Sequence, residues 1–261
     1  MNYPEQKKLS LQVFQEPRAK VFVFSHERSG THFLMNALAQ AFGYISNPQV
    51  DFDHSDANIN FYYPLSIREY LAQFKGHPVA NTFKSHHSFD FFSDLIEEVV
   101  EEFQVFYVYR NPLDVMVSLW RFIHKWEWHE GPKTDELADF IRMPPSGHMM
   151  RYQMYQQPTV LKRWESHVRG WVLEMPEQVR GRIIYVRFED LLDRYAETLQ
   201  GISHSMGREP FSLDKPGLEE TVMPFQGRSG YRDDYYTAAD LAYVEEQIGK
   251  TLVDLGYDTG A

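Results

Sequence analysis

None of the 261 residues is cysteine, which excludes a disulfide framework and thiolate zinc sites and fits a chain independent of an oxidising compartment. Positive charge is scarce as well: 26 Lys and Arg stand against 37 Asp and Glu, a formal net charge of −11. Nucleic-acid binders work by neutralising phosphates, so this balance argues against a nucleic-acid partner. Long apolar runs are also missing. No stretch approaches about 18 apolar residues and no N-terminal apolar segment of the secretory kind is present. The expectation is a soluble, cytoplasmic protein with no membrane partner. No Gly-, Ser- or Pro-rich linker, repeat or low-complexity tract divides the chain, so residues 1–261 read as one domain with room for a sizeable core.

What is present is an alternation of elements. Apolar runs near Val21, Val79, Gln104 and Arg182 read as strands, and helical periodicity follows at residues 31–42, 93–103, from Leu113, near Tyr195 and over about 238–255. Such alternation argues for an α/β fold, a parallel sheet covered by helices on both faces, with ligands gathered at the carboxyl ends of the strands.

The segment after Val21 carries the strongest local chemistry. VFVF breaks into Ser25-His26-Glu27-Arg28-Ser29-Gly30-Thr31-His32-Phe33, and Leu34, Ala37, Leu38, Ala41 and Phe42 then recur at helical spacing before Gly43, a plausible C-cap. Small residues, hydroxyls and the unsatisfied amides of a helix N-terminus suit an anion, and Arg28 adds a planar fork of donors. The loop is not G-x-x-x-x-G-K-[ST], because no glycine opens it and no lysine precedes the hydroxyls, which disfavours an ATPase or GTPase. A capped turn with a surface arginine is the plain alternative. A second strand-to-helix junction, Arg110-Asn111-Pro112-Leu113-Asp114, starts a helix in which Ser118 stands eight residues after Arg110. Between the two, Val79-Ala80-Asn81-Thr82-Phe83-Lys84-Ser85-His86-His87 ends a strand-like run in a basic and imidazole cluster.

Together these islands resemble the sulfotransferases that use 3'-phosphoadenosine 5'-phosphosulfate (PAPS). Arg28-Ser29-Gly30-Thr31 is similar to the centre of that family's 5'-phosphosulfate loop, with Glu27 where proline is usual and Phe33 where many members have tryptophan. The resemblance implies a P-loop-like fold with a central parallel sheet, and a cofactor site made of Arg28, Ser29, Gly30, Thr31, His32, Phe33, Arg110, Ser118, Phe188, Gly227 and Arg228. Arg110 and Ser118 would hold the 3'-phosphate, and Phe33 and Phe188 would sandwich or flank the adenine. Phe188-Glu189-Asp190 resembles a family strand ending in Tyr-Glu-Asp. Gly227-Arg228-Ser229-Gly230 resembles the C-terminal loop, where Phe225 and Gln226 occupy the usual basic positions and Arg228 is the nearest substitute.

The implied catalytic residues are His86, Lys84 and Arg28, by similarity to a strand closing in Lys-Thr-His. A histidine near neutrality suits proton removal from an acceptor hydroxyl, and Lys84 would offset charge on the bridging oxygen. The implied reaction is sulfuryl transfer to a hydroxyl, or an amine, of a small acceptor, leaving 3',5'-bisphosphoadenosine (PAP). No metal is expected, since side-chain cations take that role. The alternatives are a catalytically silent nucleotide-binding protein of the same fold and an atypical ATP-dependent kinase. Trp164, His167, Gly170 and Trp171 resemble a family segment and read as helix packing. Residues 51–70, with Phe52, Phe61, Tyr62 and Tyr63, are candidates for an acceptor cleft, and the aromatic, Met-rich stretch around His124, His129 and His148 reads as acceptor wall or ordinary core.

Overall fold

The computed structural model of the protein describes residues 20–46, 50–52, 59–75, 82–125, 131–217 and 229–258. Five parallel strands form one sheet: β1 (Lys20–Ser25), β2 (Val50–Asp51), β3 (Thr82–Ser85), β4 (Phe103–Tyr109) and β5 (Ile183–Arg187). Their order is β2-β3-β1-β4-β5, so the first strand is central, with β3 on one side and β4 on the other. Strand order reverses at β1, and the crevice beyond its carboxyl end is where such sheets take their ligands. The helices are α1 (Thr31–Phe42), α2 (Pro64–Ala72), α3 (Ile96–Glu102), α4 (Pro112–Lys125), α5 (Leu137–Arg142), α6 (Val160–Val168), α7 (Glu177–Arg180), α8 (Phe188–Asp193), α9 (Tyr195–Met206), α10 (Arg232–Tyr235) and α11 (Ala238–Asp254). A π-helical turn, Arg169–Leu173, continues α6.

Side chains alternate across a strand, and KVFVFS uses both faces. Phe22 and Phe24 point into an aromatic layer with Phe83, Phe92, Phe103 and Tyr107. The two rings lie 4.0 Å apart, and Phe24 stacks on Trp171 at 4.2 Å. Val21 and Val23 point the other way, with Phe106, Val108 and Val186, onto Leu34, Ala37, Leu38 and Ala41 of α1. Burial on both faces explains why these strands are continuous apolar runs, as in covered parallel sheets. A third cluster joins α4, α5, α6 and α11 through Val115, Leu119, Phe140, Trp164 and Ile248. Each fully buried ring contributes about 1.5–3 kcal/mol.

Several boundaries differ from the pattern in the sequence. The helix expected over 93–103 is Ile96–Glu102, because Leu95 N–H closes a turn on Phe92 O at 2.8 Å and Phe103 already opens β4. The strand near Val79 is Thr82–Ser85, and Val79, Ala80 and Asn81 lie outside the described residues. β5 ends at Arg187, so Phe188 is the first residue of α8 and not the end of a strand. Gly43 caps α1 as expected, at φ 72°. Among the described residues no helix is long and apolar enough to cross a membrane.

Candidate active site

The loop from β1 to α1 turns on two left-handed residues, Arg28 at φ 65° and Gly30 at φ 98°. Ser29 N–H donates to His26 O at 3.3 Å, which closes the turn. Only glycine fits at position 30: besides its φ, a Cβ there would lie 2.4 Å from Phe188 Cδ2. No side chain caps α1, so the positive end of its dipole faces the loop. Ser29 Oγ is buried with no hydrogen-bond partner among the described residues, and Thr31 Oγ1 lies 2.6 Å from Ser25 Oγ. An orphaned hydroxyl at an uncapped helix N-terminus fits an anionic oxygen. His32 and Phe33 follow in the first turn, His32 half-buried and Phe33 buried.

Glu27, in the same loop, is paired within the fold. Arg163 of α6 grips both carboxylate oxygens, at 2.7 and 2.9 Å, and donates to His26 Nε2 at 2.8 Å. Burial by itself raises the Glu27 carboxyl, but Arg163, aided by His86, outweighs it and holds the group below the ordinary carboxylate value.

β3 delivers the reaction-centre candidates. Lys84 is buried and donates to Asp51 of β2, its register partner, at 3.1 and 3.3 Å. His86 Nδ1 lies 2.8 Å from Ser25 O. A carbonyl only accepts, so Nδ1 carries the proton and Nε2 is the basic nitrogen. Burial, then the charge of Lys84, lowers the His86 pKa to about 3, below the near-neutral value the sequence suggested, so the ring is neutral and a weaker base than a solvated histidine. The backbone carbonyl of His86 is itself held by His167 Nε2–H at 3.0 Å, while His167 Nδ1 accepts from Tyr107 OH at 2.9 Å. His26 and His167 are both pushed well below the ordinary histidine value, chiefly by burial.

The second junction is built as its residues predict. Asn111 Oδ1 accepts from Leu113 N–H at 2.9 Å, and Pro112 opens α4. Arg110 is buried, lies 4.3 Å over the Phe188 ring and donates to Arg28 O at 3.2 Å. Arg28 Nε in turn donates to Ser118 Oγ at 3.2 Å, with its guanidinium 4.8 Å over Phe122. The two anion seats that the sequence reads separately therefore share one arginine-rich wall. Burial, then Arg110, lowers the Arg28 pKa, as expected for two neighbouring guanidinium groups. Asp114 accepts from Gly230 and Tyr231 N–H, at 3.1 and 2.9 Å, and Glu189 accepts from Asn111 N–H at 2.9 Å.

One arrangement departs from expectation. Phe33 and Phe188 meet each other edge to face at 6.1 Å, because Gly30 lets Phe188 fold under the loop beneath Arg110. They do not form a slot for a base to be sandwiched. Phe33 also packs on Tyr195 at 6.0 Å. Gly227 and Arg228 lie outside the described residues. Asp51, Arg163, Tyr107 and the hydrogen-bonding role of His167 escape motif reading, since each acts on a site residue far away in the chain. For His167 the Trp, His, Gly-Trp segment was the available signal.

On the far side of His86 the lining is aromatic. Tyr152 packs edge-on to both His86 and His87, at 5.8 and 5.3 Å, and Phe61 stacks on His87 at 3.8 Å. Ser85 Oγ lies 2.9 Å from His87 Nδ1. Tyr62, Tyr63 and Tyr155 are each more than 60% exposed: 63%, 64% and 63%. Among the described residues no group of three or more His, Asp or Glu could hold a metal ion.

Comparison with known families decides what this geometry belongs to: the sulfotransferase domain family matches residues 18–219. The chain belongs to the sulfotransferase family. No curated protein matches the chain. Among solved structures, this sulfotransferase is similar to mouse sulfotransferase SULT7A1 complexed with PAP, at 15% identity and a TM-score of 0.58, covering 95% of this chain and 94% of that one. It is likewise similar to retinol dehydratase in complex with retinol and PAP, at 17% identity and a TM-score of 0.58 over 97% and 86% of the two chains. A second retinol dehydratase complex, with androsterone and PAP, gives 16% identity and a TM-score of 0.59 over 96% and 86%. At these identities the likeness shows the fold of the sulfotransferase.

Proposed function

We propose that this sulfotransferase moves a sulfuryl group from PAPS to the hydroxyl of a small acceptor, with His86 as general base. The observation that carries this reading is the tautomer of His86, whose proton is committed to Ser25 O while Nε2 is the basic atom. It stands at the end of β3, between the phosphate loop and the aromatic side, and PAP in the solved relatives supports a 3'-phosphorylated donor. PAPS supplies the activated sulfuryl group and a phosphate leaving group.

The chain's own residues do the rest. His86 Nε2 takes the acceptor proton as the hydroxyl oxygen forms its bond to sulfur. Lys84, oriented by Asp51, and Arg28 offset the charge that collects on the 5'-phosphate oxygen as its bond to sulfur breaks. Ser29, Gly30, Thr31 and His32 hold the 5'-phosphate through backbone amides and hydroxyls, with Ser29 Oγ as the ready donor. Arg110, backed by the buried Phe188 ring, and Ser118 bind the 3'-phosphate. Charge on fixed donors, more than covalent chemistry by the protein, lowers the barrier in such transfers. The lack of cysteine and of a membrane-crossing helix among the described residues supports a cytoplasmic site of action.

A thermal-shift titration tests the reading. PAP at about a hundred times its Kd is expected to stabilise the fold by about 2.7 kcal/mol, a shift of several degrees, without added metal. A larger shift with Mg-ATP than with PAP would overturn the reading in favour of a kinase.

A further inference from the structure

Glu27 poses a physical problem that the proposed function leaves open. It places a carboxylate two residues before Ser29, in the loop read as the seat of a multiply charged phosphosulfate. The carboxylate is buried, and solvent does not screen it. Arg163, on α6 and 136 residues away, is also buried and reaches both carboxylate oxygens through Nη2, while Nη1 donates to His26. One guanidinium therefore fixes the two residues that immediately precede Arg28, whose left-handed backbone directs its carbonyl to Arg110 and its side chain to Ser118.

We propose that Arg163 is a positioning and charge-compensating residue for the phosphate loop: by neutralising and clamping Glu27 it allows the loop to accept the 5'-phosphate. The inference rests on the reading of that loop as the 5'-phosphate seat. It predicts an asymmetry. Removing Arg163 leaves a buried, uncompensated negative charge beside the anion, whereas removing the charge of Glu27 leaves a positive one. The two losses thus act in opposite directions on anion affinity, although both lower stability, since either breaks a buried pair.

The test is calorimetric titration of wild type, Arg163→Met, Glu27→Gln and the double variant with PAP and with adenosine 3'-monophosphate, which lacks the 5'-phosphate. Arg163→Met is expected to bind PAP about 10-fold or more weakly, with adenosine 3'-monophosphate changed by less than about 3-fold. Glu27→Gln is expected to bind PAP as tightly as wild type or more so, and the double variant to return to within about 3-fold. Equal losses of both ligands in Arg163→Met, or no loss of PAP, would overturn the proposal and mark the pair as purely structural. If Arg163→Met does not fold, Glu27→Gln carries the test, because a 10-fold loss of PAP there contradicts charge compensation. Wild type that binds adenosine 3'-monophosphate and not PAP overturns the reading of the loop, and the proposal with it. Wild type that binds PAP alongside indifferent variants removes the role of Arg163 alone.

Discussion

The two sides of His86 are built by different means. On one side the side chains are charged and tied to one another, Arg110, Lys84, Arg163 and Glu27 buried and Arg28 exposed: Arg110 to Arg28 O, Arg28 to Ser118, Lys84 to Asp51, and Arg163 to Glu27. On the other side Phe61, Tyr62, Tyr152 and Tyr155 present rings, Tyr62 and Tyr155 open to solvent. Under the proposed function the difference follows from what each side would recognise. Phosphate and sulfate need donors held at fixed positions before the ligand arrives, because orienting them afterwards costs free energy. An apolar or aromatic acceptor is recognised by surface and shape, and rings supply both with little loss of side-chain freedom.

The largest expected effect falls where the two sides meet. His86→Ala is expected to lower turnover by about 10²–10⁴-fold while PAP affinity stays near wild type. Initial rates with labelled PAPS and a panel of phenols and alcohols, beside a PAP titration, measure both. Unchanged turnover would remove His86 from the chemistry.

The second effect concerns how dry the donor side is. His26, His86 and His167 are all held neutral in the fold, principally by burial. In the unfolded chain each returns to about 6.5. Their folded values are depressed, so as pH falls through about 6.5 the unfolded state takes up protons that the native state does not, and stability declines. Each such proton is worth about 1.4 kcal/mol per pH unit, or about 4 kcal/mol per unit for the three at full effect. Urea unfolding between about pH 5 and 6.5 reads the slope, and His167→Gln should reduce the uptake by about one proton. A slope near zero would mean that this side is as solvated as the other.

Smaller effects should separate the two sides. Arg110→Ala is expected to weaken PAP by about 10–100-fold and its 3'-dephospho analogue much less, the scale of a lost charge-assisted hydrogen bond. Tyr155→Ala is expected to leave PAP affinity unchanged and to move the acceptor KM by no more than about 3-fold. Equal sensitivity of PAP to the two substitutions would erase the distinction between donor and acceptor sides.

Legibility in the sequence follows the same division. The geometry of the β1–α1 loop and of the Arg110 junction was readable because it is local: a strand end, a turn and a helix start bring backbone amides and side chains together within ten residues. Gly30, Thr31, Asn111 and Pro112 do what their residue types imply. The mutual contact of Phe33 and Phe188 was not readable, since it depends on β5 ending one residue early and on the space that Gly30 leaves. His167 read as helix packing, yet it holds the backbone of His86, because the partner carbonyl comes from the residue after β3, 81 positions away in the chain.

Glu27 shows where the boundary lies. From the sequence alone, the alternation of the main strands and helices, the covered parallel sheet and the family resemblance were determined, because periodicity and turn chemistry are properties of neighbouring residues. Only the tertiary structure decided which buried charges pair with one another. Asp51 meets Lys84 across a strand register, and Arg163 reaches Glu27 from a helix 136 residues away. A buried charge is stable only with its partner, and packing in three dimensions chooses that partner.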